Sequence, residues 1–372
     1  MISRYERPCG RMSEVKKVNV GVCGLGSIGP AYCLALKKVR KAKLVAVCDM
    51  SKAKAERYAG EFHVTPYSQL SDMVQRADLE AVWVATPTNL HAEHTTIALE
   101  AGKHVLCTKP MTRTLAAADS MIAASQKSGR NLAIGFQCRY DSRIYKAKQM
   151  IDQGRLGKIL FGIDYLPGWR EEAYWSEAPW RGTEAGGGGI IPNNAVHDLD
   201  YLQWFLGPVD WVMARKETLH HNVEVEDSYS ATFKFKSGAL IAFVGTLAAM
   251  NSKGPRFEIF GNRGVLTLAR EPRAPGRPNT LLFSNGKEWK TIAGSERVSS
   301  PSYWKVPKWS TGISSVPSVN ALVRNAEEFI DCIIEDREPL VPAEEGRKSV
   351  EMNVAIDESS REGRMVRFPL TA

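Results

Sequence analysis

Several groups of residues in this chain have the types and spacing that chemistry requires. Gly24-Leu25-Gly26-Ser27-Ile28-Gly29 follows the apolar run Val18 to Cys23 and precedes a helical run. In that context the glycines permit a tight turn and a close approach of a pyrophosphate to backbone N–H groups, with a helix N-terminus facing its charge. Asp49 closes the next strand, where its carboxylate can accept from the adenosine ribose hydroxyls. A 2′-phosphate would meet that negative charge, so the pairing favours NAD, while Lys52 and Lys54 leave NADP open. The segment Thr86-Pro87-Thr88-Asn89-Leu90-His91 begins where a third strand ends. It should flank the same cofactor, through Thr86, Pro87 and Asn89, because ligands lie beyond the carboxyl ends of parallel strands. His91 either touches the dinucleotide or faces solvent at a helix start.

A second set of residues suits proton transfer. Lys109, followed by Pro110, ends another strand at that edge and would project its ammonium toward the nicotinamide end of the cofactor, where it can stabilise a developing alkoxide. Four glycines, Gly186 to Gly189, then lead into a helix that carries Asn193 and His197 four residues apart, on one face. The glycines would let backbone approach a ligand, and His197 titrates near working pH. Trp180 and Arg181 lie just before the glycines, and an aromatic ring beside a guanidinium suits the apolar face and hydroxyl cluster of a sugar. The seven cysteines show no C-x-x-C pair, so no metal site is expected; they read as reduced thiols of a cytoplasmic protein.

These groups need a scaffold. From Val18 to Phe136 short β-branched runs alternate with helical stretches, which predicts an α/β Rossmann domain with a parallel sheet. The later strands, Lys158 to Tyr165, Trp211 to Lys216, Asp227 to Lys236, Ala239 to Leu247, Arg256 to Phe260 and Val265 to Leu268, are separated by turn chemistry. They predict an α+β C-terminal domain with a largely antiparallel open sheet. Glu271 to Pro317 reads as a long excursion, and two helices close the chain. The expected organisation is a flexible extension (1–16), a dinucleotide-binding domain (17–137) and a substrate-binding and oligomerisation domain (138–372). One face of the second sheet needs a cover that a homodimer or homotetramer would supply.

Composition narrows the partners. With 44% hydrophobic and 24% charged residues the chain reads as globular, and no segment approaches a membrane span. The net charge of +8 comes from basic residues scattered among 41 acids, which argues against nucleic acid and suits small anionic molecules.

Taken in order, the glycine turn, Thr86-Pro87 with His91, Gly102-Lys103-His104-Val105 running into Lys109-Pro110, and the glycine loop leading to His197 and Asp200 resemble the oxidoreductases grouped around glucose-fructose oxidoreductase and inositol 2-dehydrogenase. Gln153-Gly154-Arg155-Leu156-Gly157 and Gly261-Asn262-Arg263-Gly264 extend the resemblance over nearly the whole chain. It implies that Lys109 is the lysine of a Glu-Lys-Pro motif and His197 the catalytic histidine. Thr108 stands where the motif has glutamate, and Asn193 where aspartate is frequent, which shifts proton transfer toward His197 and leaves Asn193 to position a hydroxyl. The implied activity is oxidation of a secondary alcohol on a sugar, glycoside or cyclitol with NAD(P), or its reverse. A carbocyclic dihydrodiol dehydrogenase, an NAD-dependent glycosidase and a non-catalytic sugar sensor are the alternatives on the same fold.

Overall fold

The computed structural model describes residues 16–250, 252, 256–269, 280–294 and 319–370. The expected extension 1–16, apart from Lys16, lies outside the described residues, as does Cys9. The first layer runs β1 (Val18–Cys23), α1 (Gly29–Leu36), β2 (Ala42–Cys48), α2 (Lys52–Phe62), β3 (Thr65–Tyr67), α3 (Leu70–Met73), β4 (Ala81–Val84), α4 (His91–Glu100), β5 (His104–Thr108), α5 (Leu115–Ser128) and β6 (Leu132–Gly135). The strands form a parallel sheet in the order β3-β2-β1-β4-β5-β6. Val20, Val22, Val82, Trp83 and Leu106 are wholly buried, as strands covered by helices on both faces require. Strand order reverses between β1 and β4, so the crevice beyond their carboxyl ends is the place for a ligand.

The rest of the chain contains α6 (Ser142–Asp152), β7 (Ile159–Pro167), α7 (Glu172–Ser176), α8 (Val196–Leu206), β8 (Val209–Glu217), β9 (Ser228–Phe235), β10 (Leu240–Thr246), β11 (Arg256–Gly261), β12 (Val265–Ala269), β13 (Thr280–Ser284), β14 (Trp289–Gly294), α9 (Val319–Glu335), α10 (Ala343–Glu362) and β15 (Val366–Arg367). Its nine strands lie in the order β14-β13-β12-β11-β7-β10-β9-β8-β15, antiparallel except for the β7–β10 pair. Phe233, Phe235, Ile241 and Phe243 point into the core, whereas Leu160, Phe161 and Tyr165 of β7 and Met213 of β8 stay exposed.

The Glu271 to Pro317 excursion requires correction. Residues 280–294 form the hairpin β13–β14, turning at Gly286 with φ +87°, and Leu281 and Phe283 enter the core. The Pro- and Ser-rich sequence around them hides a period that only two short strands express; the remainder of the excursion lies outside the described residues. Strands β3 and β15 are too short to show alternation at all.

The closing helices return to the first layer. Leu322, Ala326, Phe329 and Ile330 of α9 pack with β1 and α1, and Tyr32 donates to Asn325 Oδ1 at 2.9 Å. Helix α10 lies against α5, α8 and β8. The joint between layers is ionic. Arg139, just past β6, donates from Nε and Nη2 to the two Asp200 carboxylate oxygens on α8 (2.9 and 2.7 Å) and from Nη2 to Glu345 on α10 (2.9 Å). Its guanidinium lies 4.9 Å over the Trp204 ring. Burial opposes the charge, but Asp200 and Glu345 outweigh it and hold Arg139 well above its usual pKa. Among the described residues no helix is long and apolar enough to cross a membrane.

Removing one member of such a pair strands the other charge in the interior. Asp200→Ala is therefore expected to cost about 3–5 kcal/mol of stability, read from the denaturant midpoint, and a loss below about 1 kcal/mol would contradict the joint described here.

Candidate active site

The glycine turn divides its labour. Gly24 has φ +94°, and a Cβ there would lie 2.5 Å from the Ala85 carbonyl; a Cβ on Gly29 would lie 1.9 Å from Gly24 O. These two glycines are required by the protein itself. A Cβ on Gly26 would meet nothing within 4 Å, and Gly26 and Ser27 are exposed beside the half-buried Ile28. The N-terminus of α1, at Ile28, takes no side-chain cap. Asp49 accepts from Leu25 N (2.8 Å) and Ser51 N (2.9 Å), tying the turn to the start of α2. A carboxylate has about four acceptor sites, so two remain for ribose hydroxyls. An open glycine, an uncapped helix end and a fixed acceptor fit a dinucleotide.

Beyond β4, Thr86 and Pro87 are half-buried and Asn89 is exposed. His91 is placed elsewhere than either expectation. It is buried, and its ring nitrogens lie 2.8 Å from Pro110 O and 2.9 Å from Thr86 O. With both nitrogens engaged by backbone carbonyls, His91 clamps the Thr86 loop to the Lys109-Pro110 loop and has no edge left for a cofactor. Thr108, buried beneath Lys109, brings its hydroxyl to 3.5 Å from the same ring.

Lys109 leaves the end of β5 and donates from Nζ to the backbone carbonyl of Asn193 at 2.6 Å. Burial pushes its pKa down to about 8; Cys138 and Asp198 oppose that shift and Arg170 adds to it. Asn193 belongs to a π-helical turn, Ile191–Ala195, that opens α8, a distortion common where helices carry function. Its side-chain Nδ2 is buried and donates to no acceptor among the described residues. His197 is buried on the first turn of α8, edge-on to Phe136, with its Nε2 at 3.1 Å from Gln137 Nε2. In this orientation of the amide, its nitrogen donates and the imidazole accepts at Nε2. Gln137 and Cys138, at the exit of β6, thus face His197 and Lys109; neither residue type stands out in the sequence, although both follow a strand end at the same sheet edge.

Two expectations are corrected in the glycine loop. A Cβ on Gly186, Gly188 or Gly189 would come within 2.3 Å of Trp180 O, 2.0 Å of Arg181 O and 2.3 Å of Glu226 Oε1. These glycines are demanded by packing against the protein, not by a ligand. Arg181 is buried, donates to Tyr174 O at 2.9 Å and lies 4.6 Å over the Tyr174 ring, so it braces the loop from inside and is not presented to a substrate. Trp180 remains half-buried beside it. Asp200 is committed to Arg139. The stretch before α7 is fixed by His221, whose ring bridges Asp227 (3.0 Å) and Arg170 O (2.9 Å). Among the described residues no cluster of three metal-binding side chains occurs.

Residues 18–136 match the model of an oxidoreductase family with an NAD-binding Rossmann fold, and residues 144–267 match the C-terminal domain model of the same family. The chain belongs to the Gfo/Idh/MocA oxidoreductase family. It is similar to 1-carboxy-3-chloro-3,4-dihydroxycyclohexa-1,5-diene dehydrogenase of Comamonas testosteroni, 32% identical over 59% of this chain and 56% of that one. It is also similar to myo-inositol 2-dehydrogenase of Thermotoga maritima, 25% identical over 94% of this chain and 98% of that one. Among solved structures, the WlbA dehydrogenase of Bordetella pertussis, in complex with NADH and UDP-GlcNAcA, superposes with TM-score 0.79 at 25% identity, over 96% of this chain and all of that one. As a member of this family the chain is an NAD(P)-dependent oxidoreductase acting on alcohol groups, and NAD is the cofactor of its Rossmann half.

The division among the glycines is testable. Gly26→Ala should leave the unfolding temperature unchanged and weaken NAD binding at least about tenfold, or 1.4 kcal/mol, by titration calorimetry. Gly29→Ala should lower the unfolding temperature before any ligand is added.

Proposed function

We propose that this enzyme oxidises a secondary alcohol of a sugar, glycoside or cyclitol to a ketone, or runs the reverse, with Lys109 and His197 as catalytic residues. The observation that carries the reading is the Lys109 ammonium, desolvated and fastened to Asn193 O at the edge where β1 and β4 open the dinucleotide crevice. Gly24, Gly26, Ser27, Ile28, Gly29, Asp49, Thr86, Pro87 and Asn89 would hold NAD, which when bound supplies the hydride acceptor. Lys109 is shared between cofactor and substrate.

The remaining chemistry belongs to this chain. A substrate hydroxyl replaces the Gln137 amide at His197 Nε2, and the neutral imidazole takes its proton. Lys109 donates to the same oxygen and stabilises the charge that develops there, an effect that a dry site strengthens. Asn193 Nδ2, which has no protein acceptor among the described residues, donates to a neighbouring hydroxyl, and Trp180 borders the ring. Asp49 favours NAD over NADP. A carbocyclic diol is the second substrate class, supported by the similarity to the Comamonas diene-diol dehydrogenase. The exposed Leu160, Phe161, Tyr165 and Met213 support a homo-oligomer built through the second sheet of a cytoplasmic protein.

A panel of sugars, cyclitols and cyclic diols with NAD and NADP, followed by absorbance of the reduced cofactor, tests the reading. Lys109→Ala and His197→Ala should each lower kcat/KM by about 100- to 10,000-fold. Glycoside cleavage without net reduced cofactor would replace this reading with the glycosidase one. Because Lys109 stabilises the developing alkoxide through its positive charge, turnover of the native enzyme should fall as pH rises through about 8. Lys109→Arg should move that alkaline limb beyond the measurable range, since guanidinium does not deprotonate. The folded pKa lies below the unfolded one, so native stability relative to Lys109→Met should rise with pH between about 8 and the unfolded value of 10.5.

A further inference from the structure

A cavity of about 350 Å³ opens between α10, the glycine loop and the start of α5. Neither Lys109, Asn193 nor His197 lines it, yet it touches their neighbours: Pro110 and Met111 follow Lys109, while Pro192 and Val196 bracket Asn193 and adjoin His197. The cavity therefore abuts both catalytic segments from behind. Its size falls near the lower end of the roughly 300–1,000 Å³ typical of small-molecule sites.

The wall formed by α10 presents polar groups with nothing to bind. Ser349 is 1% exposed, and its hydroxyl makes no hydrogen bond among the described residues; nor does the buried Oδ1 of Asn353, one helical turn further along the same face. Native proteins seldom leave such atoms unsatisfied. On the opposite wall Lys216 joins Glu226 (3.3 Å) and Asp357 (2.6 Å). With Arg113, Arg361 and Glu184 at the mouth, the lining holds three cationic and three anionic side chains, a balance that gives no preference to a charged ligand. Carbonyl, carboxylate and hydroxyl oxygens ask for a ligand rich in O–H donors, and Met111, Val196 and Val350 offer it an apolar side.

We propose that this cavity is a second binding site, separate from the catalytic one, for an uncharged polyhydroxylated molecule of monosaccharide size, bound through Ser349 and Asn353. Its occupant bears on the loops after Lys109 and around Asn193, so it is coupled to the positions of both.

Calorimetry on the NAD-loaded protein with myo-inositol, D-glucose and xylitol tests this without depending on turnover, so a failure of the dehydrogenase reading would leave it standing. At least one probe should bind the His197→Ala and Lys109→Ala proteins as tightly as in its non-catalytic phase with the native protein. Asn353→Leu and Ser349→Ala should each weaken that binding tenfold or more while NAD affinity stays within twofold. Ser349→Ala removes only the hydroxyl oxygen and carries the test if Asn353→Leu does not fold. Absence of binding to the His197→Ala protein by all three probes, or binding indifferent to both α10 substitutions, would overturn the proposal.

Discussion

A guanidinium buried among two carboxylates fixes how the halves of this enzyme meet. Arg139 sits at the exit of the Rossmann sheet, Asp200 on the helix that carries His197, and Glu345 on the helix that closes the chain. Ion pairs taken out of water rarely stabilise a fold more than good apolar packing would, but they are intolerant of misplacement. The geometry of Arg139 thus sets where α8 stands relative to β5 and β6, and with it where His197 stands relative to Lys109. Trp204 covers the guanidinium and keeps the pair dry.

The same exclusion of water acts on Lys109, with a different outcome. Arg139 has carboxylate partners and keeps its charge; among the described residues Lys109 donates to a neutral carbonyl, and burial brings its pKa down to about 8. One interior therefore contains a permanently charged cation that organises the structure and a titrating one suited to chemistry, separated by the partner each was given.

Much of this arrangement was legible in the sequence. The Val18–Cys23 strand and the tight turn at Gly24, where φ is positive, follow from local rules, and each is readable because a few adjacent residues determine it. Parallel-strand geometry puts Lys109 at the sheet edge, and a spacing of four residues puts Asn193 on the helix face of His197, but the contact of Lys109 with a backbone oxygen leaves no trace in side-chain types. His91 and Arg181 were misread for a common reason: a polar residue near a site is equally suited to holding the loops that form it, and only the three-dimensional neighbours, Pro110 O and Thr86 O in one case and Tyr174 O in the other, distinguish the two uses. The hairpin at 280–294 escaped because its flanking composition outweighed two strands of five and six residues. The return of α9 onto the first sheet is a long-range event that no local pattern encodes.

The bond from Lys109 to Asn193 has an evolutionary side. Because the acceptor is a main-chain oxygen, every amino acid at position 193 supplies it equally. The side chain there can be exchanged while the lysine stays latched, so substrate preference can drift across a lineage without each step first surrendering the catalytic geometry.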